Sequence, residues 1–150
     1  MSVVRVTKQF TFEMAHALWN YDGPCRNIHG HSYRLYITVK GEPLNDPGKH
    51  KHGMIIDFGD LKKIVNMHIV DKYDHALVFS DLAPTDSLSK IDQMFSKVYA
   101  VPFQPTCENL VVKFAEILSD KLPEKVSLVG IKLYETATSY AEWLAEDNIS

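Results

Sequence analysis

Three histidines and one cysteine carry spacings that suit metal or thiol chemistry. In the stretch Pro24–Tyr33, PCRNIHGHSY, Cys25 stands four positions before His29, and His31 follows two positions later. Imidazoles at i and i+2 of an extended chain project to one side, about 6.6 Å apart at ~3.3 Å per residue, and Gly30 leaves the backbone between them uncrowded. Such a pair can converge on one ion. The preceding run, SVVRVTKQFTFEMAHA, supplies a third ring: Val4, Val6, Phe10, Phe12 and Met14 share one parity, Arg5, Thr7, Gln9, Thr11 and Glu13 the other, with Lys8 the exception. His16 extends the apolar side of that half-buried strand. His29 and His31 likewise share parity with Tyr33, Leu35, Ile37 and Val39. If the two strands pair antiparallel, the end of the first lies beside the start of the second, and His16, His29 and His31 meet at one edge. Three neutral imidazoles with an open fourth position form a catalytic Zn²⁺ site. Taken singly, each histidine also fits a hydrogen-bonded, half-buried ring.

A thiol beside such an ion is either a reactive group or a fourth ligand. Cys25, in DGPCRN, would act as nucleophile or base in the first case and close a structural site in the second. Glu135 continues the apolar parity of Val129, Ile131 and Leu133 at the end of a strand, where a carboxylate either emerges into water or grips a paired N–H donor set on a heterocycle. Glu108 falls in the first turn of a helix, which the helix dipole alone would favour. Asp74 and His75 in KYDHAL form an adjacent pair, a weak signal by itself. Cys107 reads as a buried spectator, His68 as a core or edge histidine, and His50 and His52 as solvent-exposed loop residues.

The elements that must position these groups follow from periodicity. Two β-strands are followed by a Pro/Gly-rich connection and a helix on which Leu61, Ile64, Val65, His68 and Ile69 recur, with Asp57 or Asp60 as its cap. A turn-rich segment holds a short amphipathic helix marked by Leu88, Ile91, Met94, Phe95 and Val98, read as an insertion over about residues 80–104. Thr106 caps a further helix carrying Leu110, Val111, Phe114, Ala115, Leu118 and Leu122 and stopping at Pro123. KVSLVGIKLYET and SYAEWL form a closing hairpin. The order predicts an α+β sandwich, a mostly antiparallel sheet with helices on one face.

With 150 residues, 45% of them hydrophobic, the chain suits one domain over 1–150. A net charge of −3 without any long basic block gives no expectation of nucleic acid or anionic membrane as partner. The N-terminus lacks the pattern of an export signal and no run reaches the ~20 apolar residues of a membrane span, so a soluble, cytoplasmic protein with two free thiols is expected.

The segments FTFEMAHAL, CRNIHGHSY, MIIDFGDLK, YDHAL, PTCENL and LYETATSYAEW, in this order along most of the chain, resemble the 6-pyruvoyl-tetrahydropterin synthase family. The resemblance implies the tunnelling fold: a four-stranded antiparallel sheet with two main helices on one face, trimerising into a barrel, two trimers stacking into a homohexamer. It implies Zn²⁺ on His16, His29 and His31, Cys25 as proton-abstracting base, and Asp74, His75 and Glu135 as a proton relay. Glu135 would also anchor a pterin ring, with Glu108 a second contact. Ligands and catalytic groups would meet at a subunit interface. The three-residue gap between Cys25 and His29, and the ending ETATSYAEW, look like the bacterial 6-carboxy-tetrahydropterin synthases of queuosine biosynthesis.

Overall fold

The computed structural model describes residues 2–149. Strand β1 (Val4–His16) pairs antiparallel with β2 (His29–Gly41) in an unbroken register from Val4 opposite Gly41 to His16 opposite His29. Apolar side chains of matching parity therefore face the same way along thirteen pairs, and burying them drives the pairing. Strand β5 (Ser127–Tyr134) adds antiparallel to β2, and β6 (Tyr140–Leu144) closes the predicted hairpin against β5. One detail departs from simple alternation. The β2–β5 register slips between Thr38 and Val39, so Leu128 rather than Val129 packs on the core, while Ile131 and Leu133 remain buried.

The sheet has six strands where the sequence predicts four, in the order β4-β3-β1-β2-β5-β6. Strands β3 (Ala76–Ser80) and β4 (Val98–Val101) add parallel to the β1 edge and to each other, so the sheet is mixed rather than antiparallel throughout. Neither strand alternates. Four of the five β3 residues are buried, which makes ALVFS a continuous apolar run, and Val98 falls on the helical spacing of the segment before it.

The helices lie on one side. Helix α1 (Phe58–Val65) is capped by Asp57, whose carboxylate accepts from Gly59 N at 2.6 Å, and continues through a π turn (Asn66–Val70) into a last α turn, α2 (Asp71–Tyr73). Leu61, Val65, Ile69 and Tyr73 are all fully buried. A strict i+4 stripe drifts by about 40° per step on a 3.6-residue helix, and the wider π turn winds it back toward the sheet. Helix α3 (Thr85–Met94) exists as predicted but buries none of its residues. Helix α4 (Cys107–Leu118) is capped by Thr106, which accepts from Asn109 N at 3.2 Å, and ends one turn before the predicted stop. Between these helices and the sheet, Phe12 stacks on Tyr33 with ring centroids 5.0 Å apart, and Phe114 meets Phe12 edge-on at 6.2 Å. That aromatic block lies directly beneath the three histidines.

Candidate metal centre and its surroundings

His16, His29 and His31 come together where β1 ends and β2 begins, as strand parity predicts. One nitrogen from each ring lies within 4.8 Å of the others, and these three could hold a metal ion. Tetrahedral nitrogen ligands at ~2.0–2.1 Å from an ion stand about 3.3 Å apart, so only small adjustments close the site. Two rings are oriented by main-chain carbonyls: His16 Nδ1 lies 2.7 Å from Pro105 O, and His29 Nδ1 lies 2.7 Å from Asn27 O. Each carbonyl requires Nδ1–H and turns Nε2 inward as a lone pair, the arrangement a ligating imidazole needs. Tyr33 supports the cluster from below, edge-on to His31 at 5.6 Å and to His16 at 6.4 Å.

The electrostatics keep the rings neutral. Burial draws the His16 pKa down to about 4, against the opposing bond to Pro105, and the nearby His29 and His31 reinforce the shift. Burial also lowers the His31 value, with Glu135 opposing and His29 adding. Neutral imidazole is the metal-binding form.

Glu135 faces the cluster. Its Oε1 lies 3.6 Å from His16 Nε2 and 3.7 Å from His31 Nε2, and its main-chain N–H is fixed by Ser139 O at 3.1 Å at the mouth of the β5–β6 turn. The apolar parity of β5 points to this inward placement; the closeness to two imidazoles had no sequence signal. The carbonyls of Pro105 and Asn27 were equally invisible, because any residue supplies a carbonyl.

Cys25 sits in a single 3-10 turn (Pro24–Arg26), half-buried, and its carbonyl accepts from Leu18 N at 2.9 Å, which draws the turn back to the end of β1. Gly23 before it admits the Tyr21 ring; a Cβ there would meet that ring at 2.5 Å. Among the described residues, the groups close enough to share an ion are the three histidines, without Cys25. Cys107 is buried and donates to Leu133 O at 3.1 Å, tying the start of α4 to β5; burial pushes its thiol up to about 11. Glu108, beside it, is exposed.

Asp74 and His75 occupy the break between α2 and β3. Asp74 Oδ1 accepts from Glu13 N at 2.9 Å, and Oδ2 stands 3.1 Å from His75 Nδ1. The Glu13 bond holds the Asp74 carboxyl below the usual range, with His75 and Lys97 adding to it. His75, exposed and in the left-handed region at φ 61°, borders a cavity of about 640 Å³ together with Glu13, Ala15 and Ser32. Those three have the parity that points away from the helices. In one chain the Asp74–His75 pair thus stands apart from the imidazole cluster. His68 is half-buried, while His50 and His52 are exposed, as expected.

A curled mixed sheet with helices on one face and three imidazoles gathered at one end defines a tunnelling-fold protein of the pterin-synthase type. The model of the family described as 6-pyruvoyl tetrahydropterin synthase matches residues 5–146, and the chain belongs to that family. It is 37% identical over 143 residues to a Haemophilus influenzae protein named 6-carboxy-5,6,7,8-tetrahydropterin synthase, covering 93% of this chain and 97% of that one. A protein of the same name from Aquifex aeolicus is 29% identical over 164 residues, covering 94% and 98%. The structure of 6-pyruvoyl tetrahydropterin synthase from Caenorhabditis elegans superposes with a TM-score of 0.70 at 23% identity, over 97% of both chains, which shows the shared fold. No helix is long and apolar enough to cross a membrane, among the described residues.

Proposed function

We propose that the protein is a 6-carboxy-5,6,7,8-tetrahydropterin synthase, a zinc-dependent lyase of queuosine (7-deazapurine) biosynthesis. Its reaction converts 7,8-dihydroneopterin triphosphate to 6-carboxy-5,6,7,8-tetrahydropterin, acetaldehyde and triphosphate. The observation that carries the reading is the convergence of three inward imidazole nitrogens beside Glu135, in a chain whose relatives bear that enzyme's name.

Zn²⁺ held by His16, His29 and His31 supplies a Lewis acid for the substrate's side-chain oxygens, which acidifies the neighbouring C–H. Cys25 takes that proton as general base. The Asp74 carboxylate holds His75 Nδ1–H, leaving Nε2 to exchange protons during the internal redox and C–C cleavage steps. Glu135 accepts paired N–H bonds from the pterin ring, with Glu108 a second contact. The placement of Asp74–His75 on the outward side of β1 supports a shared site, in which one chain's pair serves the ion of another within a homohexamer. The chain works in the cytoplasm on this reading.

The product assay tests substrate, reaction and branch together. Incubation with 7,8-dihydroneopterin triphosphate should release acetaldehyde with 6-carboxytetrahydropterin. A 6-pyruvoyl product without acetaldehyde would move the protein to the pyruvoyl-forming reaction on the same scaffold.

A further inference from the structure

The peptide group joining Asp74 to His75 is held at both of its ends. Its N–H donates to Glu13 O at 2.5 Å. Its carbonyl accepts from the ammonium of Lys97, which also donates to Asp71 O at 2.6 Å. Lys97 comes from the residues just before β4, and its own carbonyl accepts from Leu77 N at 2.9 Å, so its backbone is anchored to β3. The clamp acts where the chain needs it. His75 has a positive φ, a conformation that costs a residue with a Cβ on the order of 1 kcal/mol and persists only where its surroundings over-determine it.

Fixing this peptide plane fixes the direction in which both side chains leave the backbone. The Asp74 carboxylate is then able to bond Glu13 N through one oxygen and His75 Nδ1 through the other. Lys97 also lines the cavity that His75 borders, beside Phe95 and Ser96. We propose that Lys97 is a positioning residue of the reaction, whose ammonium locks the Asp74–His75 peptide and thereby aims the His75 imidazole. This assignment rests on the reading of Asp74 and His75 as a proton-exchanging pair. It gives the segment between β3 and β4 a role in chemistry rather than in packing alone. A lysine near the last carbonyls of a helix also acts as a plain C-terminal cap, so the test must separate the two roles.

The experiment uses the metal-loaded, assembled protein and 7,8-dihydroneopterin triphosphate. Lys97→Met should lower kcat about tenfold with KM within about twofold, and speed amide exchange at His75 about tenfold. Lys97→Arg keeps two donors for the two carbonyls and should hold both quantities within about threefold of the parent. Lys97→Gln, which keeps one donating group, is read in the same way should the Met variant fail to fold. Unchanged kcat in Lys97→Met, with or without a lower Tm, reduces Lys97 to a helix cap and overturns the proposal. His75→Asn, a substitution that tolerates positive φ, runs alongside. Undiminished turnover in His75→Asn removes the proton-exchanging reading and the role of Lys97 with it. Impaired His75→Asn beside unimpaired Lys97→Met removes the role of Lys97 alone.

Discussion

The Nε2 atoms of His16 and His29 face each other at 3.0 Å, while the Nδ1 of each ring is committed to a carbonyl at 2.7 Å. A carbonyl only accepts, so both Nδ1 atoms carry protons and both Nε2 atoms present lone pairs. Two lone pairs at this separation repel. A cation between them turns that repulsion into ligation, and burial of His16 disfavours the alternative of protonating one ring.

Purified protein should therefore carry about one divalent ion per chain by elemental analysis. Chelation should lower Tm, since an ion at 100 times its Kd stabilises the folded state by about 2.7 kcal/mol. His31→Ala should weaken ion binding at least about tenfold and leave the sheet intact by circular dichroism. A Tm indifferent to chelator, with little metal in the sample, would sink the metal site.

The metal-free protein should lose stability in mild acid. His16 titrates near its ordinary 6.5 when unfolded and near about 4 when folded. Between those values the unfolded chain binds a proton that the folded chain does not, so stability is complete above 6.5 and falls as pH drops toward 4. The loss is on the order of 1–3 kcal/mol, readable from urea midpoints across that window. His16→Asn should flatten the dependence. A midpoint that stays level or rises on acidification contradicts the burial of a neutral ring.

Much of this architecture is legible in the sequence because β1 and β2 alternate cleanly. Parity alone put His16, His29 and His31 on one face, and antiparallel pairing then set His16 opposite His29. Thr106 and Asp57 could be read as caps because the helical stripe begins just after each. Strands β3 and β4 escaped because they are short and do not alternate, so the helical spacing through Val98 masked one of them. Groups that act through main-chain atoms were also hidden. Pro105, Asn27 and the carbonyl clamp on Lys97 depend on where the backbone goes, and no side-chain pattern records that.

Cys25 should prove dispensable for the metal and indispensable for turnover. It lies outside the group of side chains able to share an ion, so Cys25→Ala should retain full metal content. Cobalt-substituted parent protein should show no thiolate charge-transfer band. Turnover of dihydroneopterin triphosphate should fall at least about 100-fold, the usual scale for removing a general base. Retained turnover in Cys25→Ala would point instead to a metal-activated water as the base.

Glu135 is the residue whose role the geometry sharpens most. Its carboxylate stands 3.6 and 3.7 Å from two imidazole nitrogens, too far for a hydrogen bond and close enough to share their field. Either it grips substrate beside the ion or it swings in to ligate. Glu135→Gln separates these, because the amide keeps the shape but cannot accept two parallel N–H bonds. As substrate anchor, Glu135 predicts a variant with near-parent metal content and Tm, and a KM raised at least about tenfold. As ligand, it predicts metal loss at unchanged KM for the loaded fraction. Isothermal titration of the ion alongside steady-state kinetics distinguishes the outcomes. We expect the first, since three neutral imidazoles already satisfy the protein's share of a catalytic site and leave the fourth position for substrate.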